Sequence, residues 1–132
     1  MSIFIDSGAF IAYYNKRDQF HDLSIQLFNE VEKNSFGYAI TSDYVLNEAT
    51  TRVLLQISKE KAIELGKKIF EQYPTIHVTE EIFEEAWEKF TTLKPLSLTD
   101  CTNLCIMENH NIDYIFTFDN HFKGFVKTIG VK

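Results

Sequence analysis

Four short apolar runs, Ile3–Ile5, Tyr38–Thr41, Thr75–Val78 and Tyr114–Phe118, recur along the chain with helix-patterned segments between them. A strand wet on one face alternates apolar with polar residues, whereas a strand covered on both faces is apolar throughout. These runs read as the second kind. The intervening segments predict helices over Ala9–Tyr14, Phe20–Glu32, the stretch opened by Ser42, Lys59–Gln72, the stretch opened by Thr79, and Leu98–His110. Ser42, Ser58 and Thr79 are placed as N-caps, and Pro74 and Pro95 as breaks. Strands alternating with helices predict an α/β domain around a mostly parallel sheet of four to five strands. Val126–Ile129 is the candidate fifth strand, at an edge.

At 132 residues the chain has the length of one self-sufficient domain. No apolar run approaches the ~20 residues that span a bilayer. The opening MSIFIDSG is a strand bearing an acid, without the basic and small-residue signature of an export signal, so a cytoplasmic location is expected. Cys101 and Cys105 lie one helical turn apart with no histidine partners, which favours packing over zinc. The net charge of −6 argues against broad electrostatic wrapping of nucleic acid. It leaves room for a cation that supplies positive charge where a phosphate must sit.

The placement of the acids is the functional signal. Asp6 follows the first strand and Asp119 the fourth, so both are expected in the crevice beyond the C-terminal strand ends. Asp100 opens a predicted helix, and Glu48 lies beside the apolar stripe of the helix after the second strand. Two carboxylates ~4 Å apart repel by about 4 kcal/mol at an effective dielectric near 20. Convergence therefore raises a pKa or recruits a divalent cation. All-oxygen ligation points to Mg²⁺, with Mn²⁺ as a substitute, and to hydrolysis of a phosphodiester.

Each acid also has a plainer reading. Ser97-x-x-Asp100 fits a capping box, Asp119-Asn120 an Asx-turn, and Glu48 an i,i+4 pair with Arg52. Asp6 is the hardest to dismiss, because Ser7-Gly8 already supplies a turn. Lys16, Arg17, Arg52 and Lys123 are candidate phosphate contacts or ordinary surface charges. Glu80, Glu81, Glu84, Glu85 and Glu88 recur at helical spacing opposite Ile82, Phe83, Ala86 and Trp87, which makes a solvated face. The four histidines show no metal-binding spacing; His121, near Asp119, is the one suggestive candidate for acid–base work without metal.

Four segments in order resemble the acidic motifs of the PIN-domain family, and more narrowly its VapC-type toxins: Ile5–Ala12, Thr41–Glu48, Leu98–Cys101 and Phe116–Phe122. The resemblance covers nearly the whole chain. It implies a Rossmann-like three-layer sandwich and a Mg²⁺-dependent endoribonuclease. Asp6, Asp100 and Asp119 would hold metal, with Glu48 acting directly or through water and Ser7 and Thr117 as polar neighbours. It also implies a homodimer and a cognate antitoxin that inserts a basic side chain into the acidic pocket. Phe20, Phe36, Phe122 and Phe125 are candidates for the dimer surface. A haloacid-dehalogenase-type fold also places an acid after strand one, but there Asp-x-Asp is needed and position 8 is Gly. The remaining alternative is a PIN-like module that binds RNA or protein without cutting.

Overall fold

The computed structural model describes residues 1–131. Five strands form one sheet in the order β3-β2-β1-β4-β5: β1 (Ser2–Ile5), β2 (Tyr38–Ser42), β3 (Thr75–Ile76), β4 (Tyr114–Phe116) and β5 (Lys127–Ile129). Every pairing is parallel. Six helices flank it: α1 (Ser7–Tyr14), α2 (His21–Glu32), α3 (Asp43–Gln56), α4 (Lys59–Gln72), α5 (Glu80–Thr92) and α6 (Leu98–His110). The expected α/β architecture with a parallel sheet is what the chain adopts.

The central strands behave as their composition dictates. Ile3, Phe4, Ile5, Ile115 and Phe116 are fully buried, so β1 and β4 are covered on both faces. Phe28 of α2 packs its ring, tilted by 55°, 4.9 Å from that of Phe116, and Phe10 of α1 meets Phe28 at 5.4 Å. These aromatic contacts fix α1 and α2 against the strand pair. Thr75–Val78 departs from expectation. It forms only two strand residues at the sheet edge, both half-buried. Its Thr-Ile-His-Val sequence does alternate, which suits a strand with one wet face.

The chain builds outward from β1 to β2 and β3, then crosses back to place β4 and β5 on the other side. Strand order therefore reverses beside β1, between β1 and β4, and the crevice at that switch point is where open α/β sheets bind ligands. Ser7–Gly8 is not a turn. It is the first turn of α1, and Asp6 is its N-cap. Helix α6 is buried from Cys101 to Met107 and packs on α5. Cys101 and Cys105 are both fully buried and unpaired, as packing residues should be. Phe122 is likewise fully buried, which removes it from the candidate dimer surface; its ring belongs to the core. Among the described residues no helix is long and apolar enough to cross a membrane.

Candidate active site

A cleft of about 490 Å³ opens at the switch point and is lined by Asp6, Glu48, Asp100 and Asp119 together. The four predicted acids arrive from four elements. Asp6 follows β1, Glu48 lies in the second turn of α3, Asp100 in the first turn of α6, and Asp119 follows β4. Ser7, Gly8, Arg52, Ser97, Thr117 and His121 line it as well, together with a fifth acid, Asp18, from the loop after α1, which sequence reading did not single out.

Asp6 is the most enclosed, at 5% exposure. Its Oδ1 accepts from the Ser7 backbone N–H at 2.8 Å and from Asn103 Nδ2 at 3.1 Å. Its Oδ2 accepts from Thr117 Oγ1 at 2.8 Å. Its pKa is pushed up to about 7, first by burial; the Thr117 and Ser7 hydrogen bonds oppose the rise, and the charges of Asp100 and Glu48 add to it. Asp100 is also raised, first by burial; hydrogen bonds from Ser97 oppose this, and Asp119 and Glu48 add to it. The acids thus feel one another across the cleft. That is the physical signature of convergence.

The plainer readings of these residues turn out to be compatible with cleft lining. Ser97 and Asp100 form a full capping box, with Ser97 N–H donating to Asp100 Oδ2 at 3.0 Å and Asp100 N–H to Ser97 Oγ at 3.1 Å. Asp119 Oδ1 accepts from His121 N–H at 2.8 Å and caps the 3-10 turn Asn120–Phe122. Local capping fixes each carboxylate in an orientation that also lines the cleft. The Glu48–Arg52 pair does not form. Glu48 instead accepts a short hydrogen bond from Ser7 Oγ, which ties α3 to α1 at the cleft wall. Of the four basic candidates, Arg52 lines the cleft. His121 Nδ1 lies 3.1 Å from Asp119 Oδ1.

Thr117 holds two segments at once, since its Oγ1 donates to Asp6 and accepts from the Asp119 N–H at 3.1 Å. Gly130 makes room behind it. At φ +105° it has the left-handed backbone suited to glycine, and a Cβ there would stand 2.6 Å from Thr117 O and 3.0 Å from the Phe118 ring. Asn103 is a second residue that sequence reading passed over. It sits one turn beyond Asp100, fully buried, within a run that otherwise reads as packing. Its only signal was an amide in an interior helix, next to an acid motif.

Among the described residues no three His, Cys, Asp or Glu side chains stand together as a preformed metal cage. The donor chemistry nevertheless fits Mg²⁺. The carboxylates are hard oxygen donors, and this ion takes one or two carboxylates while keeping waters and substrate phosphates as its other ligands. Buried Asp6 is pushed towards its neutral form by burial and flanked by further negative charge, so a neighbouring cation would stabilise its ionised form.

The family model for the PIN domain matches residues 3–127. The chain belongs to the PIN-domain family. As a PIN fold it superimposes on the Sarcin-Ricin loop cleaving toxin VapC20 of Mycobacterium tuberculosis with a TM-score of 0.84, at 22% identity over 98% of each chain. It also matches a toxin–antitoxin complex from Klebsiella pneumoniae, with a TM-score of 0.70 at 14% identity, over 96% of this chain and 95% of that one. A third match is VapBC2 of Rickettsia felis, bound to a DNA fragment from its promoter, with a TM-score of 0.69 at 15% identity over 98% of each chain. At these identities the likeness is one of fold. No match in sequence to a curated protein was found.

Proposed function

We propose that this PIN domain is a Mg²⁺-dependent endoribonuclease and the toxin of a toxin–antitoxin pair. One observation carries the reading: four carboxylates from four elements line a single cleft at the topological switch point. A binding module has no need to crowd four repelling acids around one opening. The structural likeness to toxins, one of them a loop-cleaving enzyme, supports RNA as the substrate and an antitoxin as the partner.

Asp6, Asp100 and Asp119 would hold the ion, and Glu48, steadied by Ser7, would act directly or through water, orienting the attacking water and taking its proton. When bound, the ion supplies positive charge against the phosphate and acidifies a water at neutral pH. Thr117 and Ser97 keep the carboxylates of Asp6 and Asp100 in place, so little reorganisation is needed as charge develops. Arg52 at the wall is a candidate phosphate contact. A net charge of −6 and an acid-lined cleft suit an antitoxin that blocks the site with a basic side chain. A homodimer is part of the same reading, and light scattering of the purified chain tests it.

Cleavage of total cellular RNA, with Mg²⁺ or Mn²⁺ and then with EDTA, tests the proposal. Metal-dependent cuts leaving 5′-phosphate and 3′-hydroxyl ends are expected. Cyclic-phosphate ends made in EDTA would transfer the chemistry to His121, beside Asp119. RNA bound but uncut, by wild type and Asp100→Asn alike, would make the protein a binding module.

A further inference from the structure

Asp6 is held by more donors than an N-cap requires. The Ser7 N–H alone satisfies the capping role. Asn103 then adds a second donor to the same oxygen, Oδ1, from the interior of α6, 97 residues away in sequence. A carboxylate oxygen has about two acceptor positions. Both positions of Oδ1 are filled, while Oδ2 receives Thr117 alone.

The Asn103 side chain bears a cost for this arrangement. It is fully exposed to neither solvent nor cleft: its relative exposure is 0%, and its own Oδ1 is buried without a hydrogen-bond partner. Turning the amide over would set two acceptor oxygens, Asn103 Oδ1 and Asp6 Oδ1, against each other. The orientation seen is therefore the one that serves Asp6 at the expense of Asn103. Buried polar groups left unsatisfied in this way call for an explanation beyond packing. A leucine of similar size would fill the space with no orphaned atom.

On the reading of the cleft as a metal site, we infer that Asn103 is a positioning residue that saturates Asp6 Oδ1 and so reserves Oδ2 as the oxygen that meets the ion. Groups that orient a ligand in this manner typically change metal affinity 10–100-fold when removed. The amide also ties Asp6, at the end of β1, to α6, the helix that carries Asp100. Two of the proposed ligands are thereby set at a fixed separation by one side chain.

The test is Mn²⁺ binding by the metal-free chain of 132 residues, followed by calorimetric titration, with thermal unfolding of the same samples. Asn103→Leu is expected to bind Mn²⁺ about 10–100-fold more weakly, with an unfolding midpoint at or above that of wild type in the absence of metal. A merely structural asparagine would move the midpoint and leave the affinity of the folded protein alone. Should the leucine variant not fold, the size-matched pair Asn103→Ser and Asn103→Ala decides the matter: weaker binding by alanine than by serine supports the role of the donor. Folded variants that bind Mn²⁺ as wild type does would overturn this inference and leave the nuclease reading standing. Wild-type protein that binds no Mn²⁺ would overturn both.

Discussion

Two regions of this molecule are rich in acid, and they could hardly be built more differently. Helix α5 carries Glu80, Glu81, Glu84, Glu85 and Glu88, all exposed; Ile82 and Ala86 turn to the core as expected, whereas Phe83 and Trp87 stay exposed beside the acids. The cleft is lined by acids too, but Asp6, Glu48, Asp100 and Asp119 come from four separate segments, with Asp18 at the wall beside them, and all are buried or half-buried. On α5 each charge keeps its water, and the pattern is what an amphipathic helix needs for solubility. In the cleft, burial and mutual repulsion raise Asp6 and Asp100, and protein donors must partly compensate. Acid density alone therefore says little about chemistry. Acids that the fold forces together against their electrostatics say a great deal.

The sharpest way to break this comparison is to neutralise one acid of the cleft. Asp100→Asn and Asp6→Asn are expected to lower RNA cleavage by more than about 100-fold, beyond the 10–100-fold typical of residues that merely support a ligand. Initial rates in Mg²⁺ measure it, with circular dichroism to establish that the variants fold. Cutting at the parental rate by either variant would remove that acid from the site.

The second effect is on stability, and its sign runs against intuition for a functional residue. The folded-state pKa of Asp6, about 7, lies above its ordinary value of 3.8. The native state thus binds the proton more tightly than the unfolded chain, so metal-free stability falls as pH rises from about 4 to about 7 and levels off above that. A shift of this size corresponds to at most about 4 kcal/mol. Asp6→Asn keeps an N-capping side chain, removes that slope, and makes the metal-free protein more stable at pH 8. Urea unfolding at pH 5 and pH 8, wild type against variant, measures it. A wild-type stability that rises over this range would contradict the burial argument.

How much of this was legible in the chain follows from what each signal depends on. The strands were visible because Ile3–Ile5 and Tyr114–Phe116 are apolar on both faces, a property of composition alone. The four acids were visible because strand ends and helix starts fix where a side chain emerges. The start of α1 was misplaced by two residues, since Ser7-Gly8 has the composition of a turn and only the Asp6 cap converts it to helix. For Glu48 the sequence offered a pair with Arg52, its neighbour on α3, as the plainer alternative to a place in the cleft. Glu48 faces Ser7, because α1 packs on α3, and no local spacing encodes that. Asn103 was missed for the same reason: its partner Asp6 is brought to it by the sheet, not by the sequence around it. Local rules reveal caps and faces. Contacts between elements distant in sequence need the fold.

A milder perturbation tests the donors rather than the acids. Thr117→Val keeps the shape of a fully buried side chain but deletes the hydroxyl that donates to Asp6 Oδ2 and accepts from the Asp119 N–H. Loss of the donor pushes the Asp6 pKa further up, so the carboxylate is harder to ionise and the rate falls about 10–100-fold. The loss should be smaller at higher pH, where Asp6 ionises even without Thr117. A pH-independent loss would place the effect in the backbone at Asp119 instead.

The smallest effect is expected where acids are most dense. Glu84→Gln and Glu88→Gln each remove a charge from the exposed face of α5, where the side chains touch water and flank the half-exposed ring of Trp87. Surface substitutions of this kind stay within about 0.5 kcal/mol. Relief of repulsion between Glu84 and Glu88, at i,i+4, is offset by little else and favours the variants by a few tenths of a kcal/mol. RNA cleavage and Mn²⁺ affinity should match wild type, because the face lies on α5 and none of its acids lines the cleft. A tenfold drop in either quantity would mean that the summed negative field of the protein, rather than four converging carboxylates, sets the behaviour of the site. Raising the salt to 0.5 M separates the two. It screens a long-range field almost completely, with a Debye length of about 3–10 Å over this range, and leaves buried contacts such as Thr117–Asp6 nearly untouched.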